Sequence, residues 1–136
     1  MSKPNIITTT ELKKAIDSLR TSIYLLKNSL SSSDNIEEQK AFRDACIQRF
    51  EYCIEFSWKT SMKILGSTTA AAKPAVREMA RNNLINNPEV WLSFIDSRNE
   101  TSHAYDEDVA KKVYAQIENF LPEAEKLLST LDKQRI

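Results

Sequence analysis

The 136 residues carry nineteen basic and nineteen acidic side chains, which cancel at neutral pH, and they include 41% hydrophobic residues, one glycine and four prolines. That composition excludes a disordered or sandwich-type chain and predicts a compact all-α protein, a single domain over residues 1–136 whose one core buries roughly two thirds of the unfolded surface. A zero balance provides no global attraction for nucleic acid, so any basic surface has to be local.

No apolar stretch reaches membrane-spanning length and the N-terminus lacks the apolar run of a signal peptide, so a cytoplasmic protein without a membrane partner is expected. Thr8-Thr9-Thr10-Glu11 has the pattern of a capping box. After it Leu12, Ile16, Leu19, Ile23, Leu26 and Leu30 recur at steps of four and three, the signature of a helix that packs along one stripe. Ser31 to Asn35 ends that helix and offers caps for the next.

The second helix is predicted from about Ile36 to Leu65, with Gly66 as its C-terminal stop. Turned at about 100° per residue, Phe42, Cys46, Phe50, Cys53, Phe56 and Ser57 make one stripe. Ile47, Ile54, Trp58, Met62 and Leu65 make a second, nearly opposite. A helix apolar on two sides is either central in the bundle or presents an interface, and the later helices need a surface to pack on, which favours the central position. Cys46 and Cys53 share a face but lie about 10 Å apart along the axis, too far for a disulfide, and read as small buried apolar residues.

Pro74 suits the first turn of a short third helix running through Leu84 or Ile85. Lys73, Arg77 and Arg81 follow one another at i, i+4 and i+8 on it. Such a stripe is either a solvated face or a phosphate-binding surface. Asn87 before Pro88 marks the start of a fourth helix, and Asp106-Glu107-Asp108 the start of a fifth. Val109, Val113, Ile117, Phe120, Ala124, Leu127, Leu128 and Leu131 lie on one face of the fifth, with Pro122 inside the pattern, where it should kink or split the helix.

The densest chemistry lies between the last two helices, where Arg98, Asn99, His103, the only histidine, and Tyr105 fall within eight residues. On a straight helix Arg98 shares the side of Trp91, Phe94 and Ile95, and so faces the core or a cleft, where its head can meet a carboxylate of a neighbouring helix. His103 would lie about 140° away, so one straight helix cannot aim both at one phosphate. Either the helix breaks before His103 or the pair converges across a symmetric dimer. Cleavage of RNA by its own 2′-hydroxyl needs a base, an acid and charge stabilisation, and only two subunits supply two histidines. Arg98 would bind phosphate, Asn99 would orient His103 or the turn, and Tyr105 would donate to phosphate or stack on a base.

Arg98-Asn99-Glu100-Thr101-Ser102-His103 resembles the arginine–histidine signature of the HEPN superfamily, in which four to six residues separate the pair, and Tyr105 extends it to the form with a tyrosine two residues on. Arg49-Phe50-Glu51-Tyr52-Cys53-Ile54-Glu55-Phe56-Ser57-Trp58-Lys59 and Trp91 to Tyr105 are similar to the nucleotidyltransferase substrate-binding family within it, and the helix order fits through nearly the whole chain. The resemblance implies an up-down bundle of four to five helices that works as a homodimer beside a separate minimal nucleotidyltransferase.

The resemblance further implies a metal-independent ribonuclease toxin with Arg98 and His103 catalytic, Asn99 supporting, and Tyr105 the residue to which the partner attaches nucleotide. The other reading it allows is a non-catalytic subunit that presents substrate to the transferase. No cofactor or metal is expected. The chain has no glycine-rich phosphate loop and no carboxylates at metal-ligand spacing, so transfer chemistry is assigned to the partner. Glu100, Asp106, Glu107 and Asp108 crowd the motif with charge that opposes RNA.

Overall fold

The structure, a computed structural model, describes residues 7–134. Five helices follow in order: α1 Thr10–Ser32, α2 Ile36–Leu65, α3 Ala72–Arg81, α4 Pro88–Glu100 and α5 Glu107–Gln134, with a single 3-10 turn at Thr101–His103 between the last two. No strand occurs among the described residues. α1 and α2 are joined by only three residues and pack as an antiparallel pair. α2 touches each of the other helices, so the helix with two apolar stripes is the central one.

Both stripes of α2 are indeed covered. Cys46, Phe50, Cys53 and Ser57 are buried on one side, and Ile47, Ile54, Trp58 and Met62 on the other. Phe42 and Leu65 are partly buried against the core, and Phe56 stays 37% exposed. Ser57 and Ser61 also lie inside, and each donates its hydroxyl to the carbonyl four residues back, Cys53 and Ser57 respectively, so neither is left unsatisfied.

At the centre Phe50 of α2, Trp91 and Phe94 of α4 and Phe120 of α5 meet edge to face, with ring centroids 5.1–5.6 Å apart. Phe120 takes part in three of those contacts, and each such pair adds about 0.5–1.5 kcal/mol beyond the area buried. The thiols of this core are inert. Burial raises Cys46 to about 11 and Cys53 to about 12, so neither is a thiolate at neutral pH.

Helix ends depart from expectation where a tertiary partner displaces a local one. The capping box does not form: α1 has Thr9 as its N-cap without a side-chain cap bond, and the Thr9 hydroxyl instead donates to Asp132 of α5 at 2.6 Å. The α1 stripe ends at Leu26, because Leu30 is 54% exposed while Ser29 is buried and donates to Glu38 at the start of α2. Gly66 stops α2 as expected, in the left-handed conformation at φ 67°. α3 is shorter than expected. Asn83, at φ 60°, closes it with bonds from the Asn83 and Leu84 amides to the Ala80 and Met79 carbonyls, which tucks Leu84 against the core outside any helix.

α4 starts at Pro88 as expected, yet Asn87 makes no side-chain cap and its buried Oδ1 has no hydrogen-bond partner. Asp106 does cap α5, accepting from the amides of Asp108 and Val109 at 2.9 and 3.2 Å. Pro122 neither splits nor ends α5, which runs continuously across it. The missing amide leaves one turn a bond short, and the buried neighbours Phe120 and Ala124 hold the helix together.

Candidate functional site

α4 stops at Glu100, two residues beyond Arg98, because the next residues tighten into the 3-10 turn that carries His103. Thr101 anchors the change of winding, with its hydroxyl donating to the Arg98 carbonyl at 2.7 Å and its side chain buried. The helix therefore breaks before His103. On a common axis, three residues per turn in place of 3.6 carry His103 roughly a further 60° round, past the side opposite Arg98.

α2 serves as the rail beside which the motif is laid. At one end Arg98 reaches Glu55, its Nε 3.5 Å from Oε1. In the middle Ala104 and Tyr105 border an open groove of about 720 Å³ whose α2 wall includes Gln48, Glu51 and Tyr52. At the other end Glu107 receives both terminal nitrogens of Arg43, at 2.6 and 3.0 Å. From residue 43 to residue 55 that rail is about 18 Å long.

The side chains differ sharply in exposure along it. Arg98 exposes only 34% of its side-chain surface, whereas His103 is exposed and Tyr105 is 88% exposed. The His103 and Tyr105 rings stand 6.3 Å apart, edge to face. Asn99 is exposed on the last turn of α4. Among the described residues no hydrogen bond joins Arg98 to His103, and their partners lie in different places: a carboxylate of α2 for one and the Tyr105 ring for the other.

Two of the four acids crowding the motif have structural duties. Asp106 commits its carboxylate to the α5 amides, and Glu107 is neutralised by Arg43, whose bonds hold its carboxyl below the usual glutamate range. Glu100 and Asp108 remain exposed. The opposition to RNA is accordingly weaker than the sequence alone suggests.

The basic stripe of α3 is only partly open. Lys73 is paired with Asp96 of α4 at 2.7 Å, while Arg77 and Arg81 are exposed. α3 packs on α2 and α4, and the turn at His103 packs on α4 and α5, so α4 is the helix that the stripe and the turn share.

Residues that draw no role from the sequence are Glu55, Lys59, Arg43 and Tyr52. The helical angles turn Arg98 toward the core or a cleft, where a carboxylate of a neighbouring helix can meet it, and Glu55 is that carboxylate; the apolar pattern of α2 does not choose it among the five acids of that helix. Its spacing to Lys59 is the one available signal, since the two pair at i, i+4 with Nζ 3.3 Å from Oε2.

Residues 14–133 match the family described as nucleotidyltransferase substrate binding protein like. A Haemophilus influenzae protein named "Probable ribonuclease HepT" is 38% identical over an alignment covering 62% of this chain and 64% of that one, so the match spans a little under two thirds of that relative's length. A solved structure from Haemophilus influenzae, described as revealing the fold of a substrate binding domain of a nucleotidyltransferase, superposes with a TM-score of 0.81 at 31% identity, over 92% of this chain and 99% of that one. A crystal structure from Thermus thermophilus is similar at TM-score 0.73 and 27% identity, over 88% of this chain and 98% of the other.

Proposed function

The chain belongs to the family described as nucleotidyltransferase substrate binding protein like, and on that premise we propose that it is the HEPN-type partner of a separate minimal nucleotidyltransferase and itself a toxin-type endoribonuclease of the cytoplasm. Arg98 grips the scissile phosphate through its guanidinium. One His103 takes the proton of the RNA 2′-hydroxyl, whose oxygen attacks phosphorus. A second His103 gives a proton to the departing 5′-oxygen, leaving a cyclic phosphate on one fragment and a free hydroxyl on the other. No metal ion enters the scheme. Asn99 supports the turn beside the pair.

The observation that carries this reading is the break at Glu100, which leaves His103 exposed beside Tyr105 while Arg98 is held against α2. The tighter turn does not swing His103 toward Arg98, so the site is assigned to a homodimer in which two copies bring their motifs together. Two histidines then supply the base and the acid. Tyr105, with its side chain open to solvent, is the residue to which the transferase attaches nucleotide to silence the toxin. Arg77 and Arg81 of α3, with Lys73 where it can leave Asp96, extend a path for RNA phosphates.

The test is purified protein with total RNA or tRNA in EDTA, beside Arg98→Ala and His103→Ala. Cleavage by the wild type alone supports the reading, and RNA left equally intact by all three overturns it. The description of the Haemophilus influenzae structure favours a second reading, a non-catalytic subunit that presents substrate to the transferase. Under that reading His103→Ala leaves RNA untouched as the wild type does, but lowers transfer by the partner.

A further inference from the structure

Resting on the ribonuclease reading, we infer that Glu55 is a positioning residue that sets the direction from which phosphate meets Arg98. Glu55 divides its two oxygens between two cations. Oε1 faces Arg98 Nε at 3.5 Å and Oε2 faces Lys59 Nζ at 3.3 Å, so one carboxylate of α2 ties the last turn of α4 to a second positive charge.

The geometry at Arg98 is asymmetric. Its Nε is buried and, despite the nearby carboxylate, makes no hydrogen bond; the closest approach of Glu55 is on this inner edge of the guanidinium. Among the described residues no hydrogen bond engages the two terminal nitrogens. A phosphate can be gripped either by the terminal fork or by the edge formed by Nε and one terminal nitrogen. Glu55 guards the second approach with a negative charge and leaves the first free.

Lys59 keeps Glu55 in place from the other side. Its ammonium lies 5.5 Å from the Trp58 ring centroid, and its side chain is 56% exposed. The triad of two cations and one anion carries a net positive charge, which suits an anionic substrate. Glu55 subtracts from that attraction, and its use is in aim rather than in affinity.

This separates two effects that a merely structural residue would move together. Glu55→Gln keeps the shape and removes the charge, so RNA should bind a few-fold more tightly as repulsion is lost, while kcat falls by about tenfold or more because the guanidinium is no longer held to one approach. Glu55→Asp keeps the charge and withdraws it by one methylene. Its kcat should fall likewise, with no gain in binding.

The experiment is kcat and KM on one RNA for wild type, Glu55→Gln and Glu55→Asp, with thermal unfolding of each to confirm that the fold is kept. A lower kcat for both, with a lower KM for Glu55→Gln only, supports the assignment. Wild-type kcat and KM in both variants overturn it and leave the ribonuclease reading standing. A fall in kcat that only tracks loss of folded protein, with KM unchanged in both, makes Glu55 a structural residue and overturns it too. Wild-type protein that leaves RNA intact overturns the ribonuclease reading, and the role of Glu55 in it.

Discussion

Arg43 of α2 and Glu107 in the first turn of α5 face each other with both guanidinium ends engaged, at 2.6 and 3.0 Å, and this pair fixes where the chain goes after Tyr105. The arginine side chain is only 15% exposed, so its charge depends on that carboxylate for compensation. Together with the Asp106 cap, the pair sets the end of the loop that presents His103 and Tyr105.

Glu107→Gln should therefore lower the melting temperature at neutral pH. The sign of the pH dependence follows from the lowered carboxyl pKa in the folded state: the pair contributes fully above the ordinary value of 4.5 and loses its contribution as pH falls through the lower folded value. Thermal melts of wild type and variant from about pH 7 to about pH 3 should converge at the acid end. A difference that stays constant with pH would show that the pair is not its source.

If each working site draws a histidine from both subunits, mixing should cost more than dilution. An equal mixture of wild type and His103→Ala, allowed to exchange, contains roughly one quarter wild-type dimers and should retain about a quarter of the activity of the same total wild-type concentration. Independent sites within each subunit would leave about one half. Light scattering at micromolar concentration checks the premise, and a monomer there rules out the composite site.

Tyr105, the most exposed of the large apolar or aromatic side chains among the described residues at 88%, is open to modification without any movement of the fold. Co-expression with a neighbouring transferase should raise the intact mass by whole nucleotide units. Tyr105→Phe should abolish the increment while leaving the unfolding free energy within about 0.5 kcal/mol of wild type. Modification that persists in Tyr105→Phe assigns it to another residue.

Phe120→Ala should cost about 3–5 kcal/mol in urea unfolding, since it removes three edge-to-face contacts at the meeting point of α2, α4 and α5. Gly66→Ala should cost about 1 kcal/mol, because the added Cβ would meet nothing within 4 Å and only the left-handed backbone resists it. Equal costs for the two would mean that packing at the aromatic cluster is not what holds the bundle.

The sequence by itself determined the helices and the core, because hydrophobic spacing at 3.6 residues per turn is a local property that survives into the bundle, as Leu12 to Leu26 and Val113 to Leu131 show. It also determined the stop at Gly66 and the starts at Pro88 and Asp106, where backbone conformation or a cap acts within a few residues. Tertiary structure alone decided whatever depends on a partner far along the chain. Thr9 left its own helix for Asp132, Asp96 took Lys73 out of the basic stripe, and Arg43 drew Glu107 away from the motif. Glu55 became the neighbour of Arg98 only when α4 crossed α2. A side chain's charge can be read from its identity, but the charge it meets is set by packing.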